Sequence, residues 1–215
     1  MWVGASSVRA PPQRAAWKSR RMDDLIRNEI LASAAVLRAL GEDSTFCSAV
    51  RSVAELAVAT LRGRNKILIC GNGGSAADAQ HWAGELVSRF NYDRPGLAAV
   101  ALTTDTSILT AIGNDFGYER VFARQIEAIG VTGDLLLAIS TSGRSPNVLA
   151  ALHAAHARGL TTVGLTGANG SEMASLCEVC LTVPSTLTPR IQECHEVIGH
   201  TICMLIERQM FPRNA

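Results

Sequence analysis

The sequence predicts one α/β domain, a five-stranded parallel sheet in flavodoxin-like order flanked by helices. Three observations carry that prediction. Five short apolar runs of strand length alternate with longer segments whose apolar residues recur at helical spacing. The runs are continuous rather than alternating, which marks strands covered on both faces, as parallel strands are. With 215 residues, 47% hydrophobic and 18% charged, the chain is globular and long enough for one sizeable core.

The elements follow in order. "MDDLIRNEILASAAVLRAL" (22–40) and "FCSAVRSVAELAVATLR" (46–62) read as two amphipathic helices. "KILIC" (66–70) is the first strand, followed by a glycine-rich turn and a helix through His81. "LAAVAL" (97–102) is the second, followed by a helix near "DTSILTAIG" (105–113). "DLLLAIS" (134–140) is the third, and "SPNVLAALHAAHARG" (145–159) a helix that stops at Gly159. "TTVGLTG" (161–167) and "EVCLTVP" (178–184) are the fourth and fifth strands, and "IQECHEVIGHTICMLIERQM" (191–210) closes the chain as a long helix. The expected strand order is 2-1-3-4-5. In such sheets ligands bind beyond the carboxyl ends of the strands, where the crossovers diverge. That point lies between the first and third strands.

The domain is read as residues 22–215. Residues 1–21 carry five Arg or Lys, no acid and no apolar h-region, so they are not a secretory signal. They are expected to be a disordered extension. Net charge is +1, which gives no global electrostatic case for nucleic acid or an anionic membrane, and no apolar run approaches the roughly 20 residues of a span. The six cysteines are Cys47, Cys70, Cys177, Cys180, Cys194 and Cys203. A core-rich chain of this size needs no disulfide frame, so they point to a reducing compartment, the cytoplasm. Cys177 and Cys180 have CxxC spacing, but no second CxxC accompanies them and no helix starts behind them, as a metal or redox site would require.

Two turns face the predicted binding point. Gly71-Asn72-Gly73-Gly74-Ser75 follows the first strand and Ser140-Thr141-Ser142-Gly143-Arg144-Ser145 the third. Glycines allow close backbone approach, a helix start offers free N–H groups, and short hydroxyls add donors. Together these could wrap a phosphate. The plainer reading is two strand-to-helix turns with serine caps. A third is the loose dinucleotide fingerprint Gly71-x-Gly73-x-x-Ala76, for which the nearest ribose-binding acid is Asp105, too late in the chain.

His81 and Glu85 are four apart and share a helix face, a workable start for a metal site. They lie roughly 10 Å along the helix from the first turn, about the length of a phosphorylated sugar. The last helix carries Gln192, Glu193, His195, Glu196 and His200. Gln192 and His200 are eight apart, about 12 Å of rise, so spacing alone is a poor metal signal.

"CGNGGSAADAQHWAGELVSRF", "RPGLAAVALTTDTSILTAIGNDFGYERVFARQ", "STSGRSPNVLAA" and "RIQECHEVIGH" resemble the sedoheptulose 7-phosphate (phosphoheptose) isomerases of the sugar isomerase (SIS) fold, over residues 22 to about 211. The resemblance implies conversion of D-sedoheptulose 7-phosphate to D-glycero-D-manno-heptose 7-phosphate, a homotetramer with active sites at subunit interfaces, and one zinc per subunit. It implies Asn72, Gly73 and Gly74 along the substrate, and Ser75, Ser140, Thr141, Ser142 and Ser145 around the phosphate. Arg89, Asn114 and Asp115 would complete the sugar pocket, with Gln192 as a further contact. His81, Glu85, Gln192 and His200 match the metal positions, and Glu85 and His200 the acid–base pair. Relatives on this fold also act as adaptors for the replication initiator protein. Those lack the carboxylate and final histidine that this chain has as Glu85 and His200.

Overall fold

The computed structural model describes the backbone of residues 13–213 and the side chains of residues 19–213. Two helices, α1 (Gln13–Glu42) and α2 (Ser44–Arg62), precede the alternating part. Then follow β1 (Ile67–Gly71), α3 (Gly74–Val87), β2 (Ala99–Ala101), α4 (Thr106–Phe116), α5 (Ala123–Ile129), β3 (Leu135–Ser140) and α6 (Pro146–Ala157). The chain ends with β4 (Thr161–Gly167), α7 (Ser171–Ala174), β5 (Val179–Val183) and α8 (Thr188–Met210). All strand pairs are parallel and the order is β2-β1-β3-β4-β5, as expected.

The strands divide their side chains between two cores. Ile67, Ile69, Leu135, Leu137, Val163 and Leu165 join residues of α2, α3 and α8 on one face. Leu68, Cys70, Leu136 and Ala138 join residues of α5 and α6 on the other. This two-sided burial is why the strand sequences are apolar throughout.

The register of β1 against β3 is pinned at their amino ends. Asp134, fully buried, binds Lys66 Nζ at 2.6 Å and accepts from the Lys66 and Val131 amides at 3.0 and 2.9 Å. Burial alone would raise its pKa, but the bonds from Lys66, Val131 and Asn65 outweigh that and hold it below the usual carboxylate range. With that end fixed, Gly71 pairs beside Ile139, and the turns after β1 and β3 leave the sheet side by side.

Two expectations need correction. The helix expected to start at Met22 begins at Gln13, so residues 13–21 are helical rather than disordered. Gln, Ala, Lys and Arg are good helix formers, and they extend the helix without contributing an apolar stripe. Residues 1–12 of the expected extension lie outside the described residues. The sequence reading also missed α5, α7 and a 3-10 turn at Tyr118–Arg120, each too short for a periodic signal.

Helices α3 and α8 cross closely because α8 carries Gly199 where the buried indole of Trp82 lies. A Cβ on Gly199 would overlap the Trp82 ring. We therefore expect Gly199→Ala to destabilise the protein by roughly 1–3 kcal/mol, the usual cost of overpacking. Thermal melting checks this, and an unchanged midpoint would show that Trp82 can move aside.

Candidate active site

The first half of the site is the pair of turns after β1 and β3. Gly73 has φ 56° and Gly143 has φ 63°, conformations that favour glycine. The serines there do not act as caps. Ser145 precedes α6 but makes no side-chain cap bond. Its hydroxyl lies 3.0 Å from the Ser140 hydroxyl, and Ser142 Oγ lies 3.5 Å from the same oxygen. Hydroxyls gathered in this way beside the start of α6 are suited to an anion. A cleft of about 130 Å³ beside them is lined by Thr141, Ser142, Arg144, Asn169, Ser185 and Thr188, among others.

The turns are braced by groups the sequence reading did not single out. Asn72 and Asn147 exchange two side-chain hydrogen bonds of 2.8 Å, and the Tyr118 hydroxyl donates to Asn72 Oδ1 at 3.3 Å. The Asn72 side chain thus braces the turn. Asn147, almost fully buried, stood unnoticed at the start of the sixth helix. Asp105 caps α4 by accepting from the Ile108 amide at 2.9 Å, so it is not a free ribose acceptor.

The second half of the site is formed by α3 and α8. His81 Nε2 lies 3.3 Å from Glu85 Oε1, and the rings of His81 and His200 meet edge to face at 4.9 Å. One donor atom each from His81, Glu85 and His200 lies within 4.8 Å of the others. Tetrahedral zinc ligands stand about 3.5 Å apart, so a donor set of two imidazoles and a carboxylate with this spacing fits a metal such as zinc. Gln192 lies elsewhere: its amide packs against Gly74 at the start of α3. Spacing along α8 had indicated that Gln192 and His200 do not naturally meet, and their side chains do face different ends of α3.

Two acids complete the surroundings. Glu196 Oε1 lies 2.7 Å from His81 Nδ1. Asp78 is pushed up to about 6 by burial and by the charge of Glu196, against a smaller opposing effect of His81. His195 points the other way, into the core, with Nε2 3.4 Å from the Thr166 carbonyl. Burial pulls its pKa down to about 4, so it is a neutral core group. Asn114 and Asp115 bond each other at 2.7 Å on exposed α4, and Arg89 is exposed beyond α3. Among the described residues, no hydrogen bond or ion pair joins these three to the histidines.

A buried ion pair sets the spacing between the two helices. Glu207 on α8 is fully buried and accepts from the Phe90 and Asn91 amides at 2.9 and 2.8 Å and from Arg94 Nε at 3.2 Å. Arg94 in turn donates to the carbonyls of Leu86 at 2.6 Å and Glu85 at 2.8 Å. Burial would raise the Glu207 pKa, but the Asn91 and Phe90 amides and Arg94 outweigh it and hold it below the usual range.

Comparison with known proteins places this geometry in context. Residues 32–167 match the SIS domain family. The chain is 56% identical over 189 residues to a phosphoheptose isomerase of Burkholderia pseudomallei (strain K96243), covering 88% of this chain and 96% of that one. It is 55% identical over 190 residues to a phosphoheptose isomerase of Aneurinibacillus thermoaerophilus, with the same coverage. Its fold superposes on the solved phosphoheptose isomerase of Neisseria gonorrhoeae with a TM-score of 0.81 at 42% identity, over 86% of this chain and 98% of that one.

Breaking a buried ion pair by removing one partner costs about 3–5 kcal/mol, because the other charge is left buried and alone. We expect Arg94→Met to lose stability on that scale in denaturant unfolding. Glu207→Gln should cost a comparable amount, since its one amide oxygen can serve only one of the two backbone amides and Arg94 loses its counter-charge. Equal, small losses in both would show that the pair does not hold α3 to α8.

Proposed function

The chain belongs to the phosphoheptose isomerases of the SIS-domain family, and we propose that it converts D-sedoheptulose 7-phosphate to D-glycero-D-manno-heptose 7-phosphate, a step in heptose precursor biosynthesis. The observation that carries this reading is the convergence of His81, Glu85 and His200 along the helix that starts at the hydroxyl-rich turns. A phosphate held at one end leaves the carbonyl end of an extended sugar near the histidines.

In this reading Ser75, Ser140, Thr141, Ser142 and Ser145 hold the phosphate, and the backbone of Asn72, Gly73 and Gly74 lies along the sugar. Gln192, beside Gly74, is a substrate contact. The reaction moves one proton between C1 and C2 through an enediol, and another between the two oxygens. Glu85 takes the proton from C1 and returns it to C2. His200 moves the proton between O1 and O2. Zinc held by His81, Glu85 and His200, with Gln192 joining only by leaving Gly74, would polarise the carbonyl as a Lewis acid. Glu85 serves as both ligand and base only through a bond that loosens when substrate binds.

Self-association as a homotetramer fits two surfaces. α1 exposes Met22, Leu25, Ile26, Ile30 and Leu31, and an apolar groove of about 320 Å³ runs between α1, α2 and α8. A site at a subunit boundary would bring partner groups to Arg89, Asn114 and Asp115, which stand exposed in the single chain. The six cysteines are free thiols, in keeping with the cytoplasm, and no helix among the described residues is long and apolar enough to cross a membrane. Glu85 and His200 lie together, which favours the enzyme over an adaptor that binds the replication initiator.

Glu85→Gln tests the assignment, since the amide keeps the size of the carboxylate and removes its basicity. With turnover, substrate affinity and bound zinc measured on one preparation, kcat should fall by roughly 10² to 10⁴ while substrate still binds. If zinc content falls and excess zinc restores the rate, Glu85 is a ligand only. Near-normal turnover would sink the catalytic role.

A further inference from the structure

Glu196 stands on α8 one turn before His200, and its carboxylate reaches across to α3. Oε1 lies 2.7 Å from His81 Nδ1 and 3.3 Å from His200 Nε2. Oε2 accepts from the Trp82 indole N–H at 3.3 Å, and Trp82 is buried. The carboxylate is therefore held at both oxygens. An exposed i, i+4 pair with His200 alone would leave it free to turn, and would not explain the short bond between helices.

The two nitrogens of His81 face different carboxylates: Nδ1 faces Glu196 and Nε2 faces Glu85. The converging donor group contains His81, Glu85 and His200 but not Glu196. Histidine ligands commonly donate their second ring N–H to a carboxylate, which fixes the tautomer and the direction of the other lone pair. Glu196 occupies that position for His81.

We propose that Glu196 is a positioning residue, accepting the Nδ1 proton of His81 so that Nε2 is presented to the cation beside Glu85 and His200. The inference rests on the reading of those three residues as ligands. It does not require Glu196 to touch the cation or the substrate.

The test is zinc affinity, measured by competition with a chromophoric chelator, for the wild type, Glu196→Leu and Glu196→Gln. It is joined by ¹⁵N NMR of the His81 ring in the zinc-loaded wild type and glutamine variant. The leucine variant should bind zinc roughly 10- to 100-fold more weakly, the usual effect of losing such a partner. The glutamine variant, whose amide oxygen still accepts, should fall between it and the wild type. The spectrum should place the proton on Nδ1 in both proteins measured. Wild-type affinity in the leucine variant, or zinc bound through Nδ1, would overturn the proposal. If the leucine variant fails to fold, the glutamine variant decides, and unchanged affinity there overturns it. Failure of the wild type to bind zinc would instead remove the ligand reading, and the inference with it, before any variant is compared.

Discussion

The buried pair of Arg94 and Glu207 is the constraint on which the site depends. Glu207 belongs to the helix that carries His200, and Arg94 holds the carbonyls of Leu86 and Glu85 at the end of the helix that carries His81. The backbone of the proposed base is thereby tied to the helix that bears its partner. Two charges without access to water persist only where every donor and acceptor is met, and here both backbone amides and carbonyls are recruited to meet them. Gly199 acts in the same direction, because its missing side chain lets Trp82 settle between the helices.

The other end of the site has a separate origin. It follows from sheet register, set by Asp134 and Lys66 at the far ends of β1 and β3. One helix, α3, joins the two ends: it starts in the turn after β1 and its later turns carry His81 and Glu85. In the proposed reading, the distance from phosphate to chemistry is a property of helical rise.

Much of this was legible in the sequence, and for identifiable reasons. Parallel strands buried on both faces leave continuous apolar runs, so the sheet and its order could be read. His81 and Glu85 share a helix, so their i, i+4 spacing could be read too. His200 could not be joined to them by spacing, because the contact crosses between helices. Glu196 stood in the same list of polar residues on α8 as His195. Only the rotation of that helix separates a group that reaches the histidines from one buried in the core. Arg94 and Glu207 gave no sign either: a charge far from its partner in sequence reads as surface until the fold brings the two together.

The proposed chemistry is isomerisation of a bound phosphosugar by proton transfer at Glu85 and His200. The most direct measurement is to incubate the purified chain with sedoheptulose 7-phosphate in deuterium oxide and follow the sugar by NMR. Glu85 is partly exposed, so the proton it acquires can exchange with solvent before it is returned. The expected product is D-glycero-D-manno-heptose 7-phosphate, with deuterium at C2 in the fraction whose proton exchanges on Glu85. No turnover, or formation of a different sugar phosphate, would contradict it.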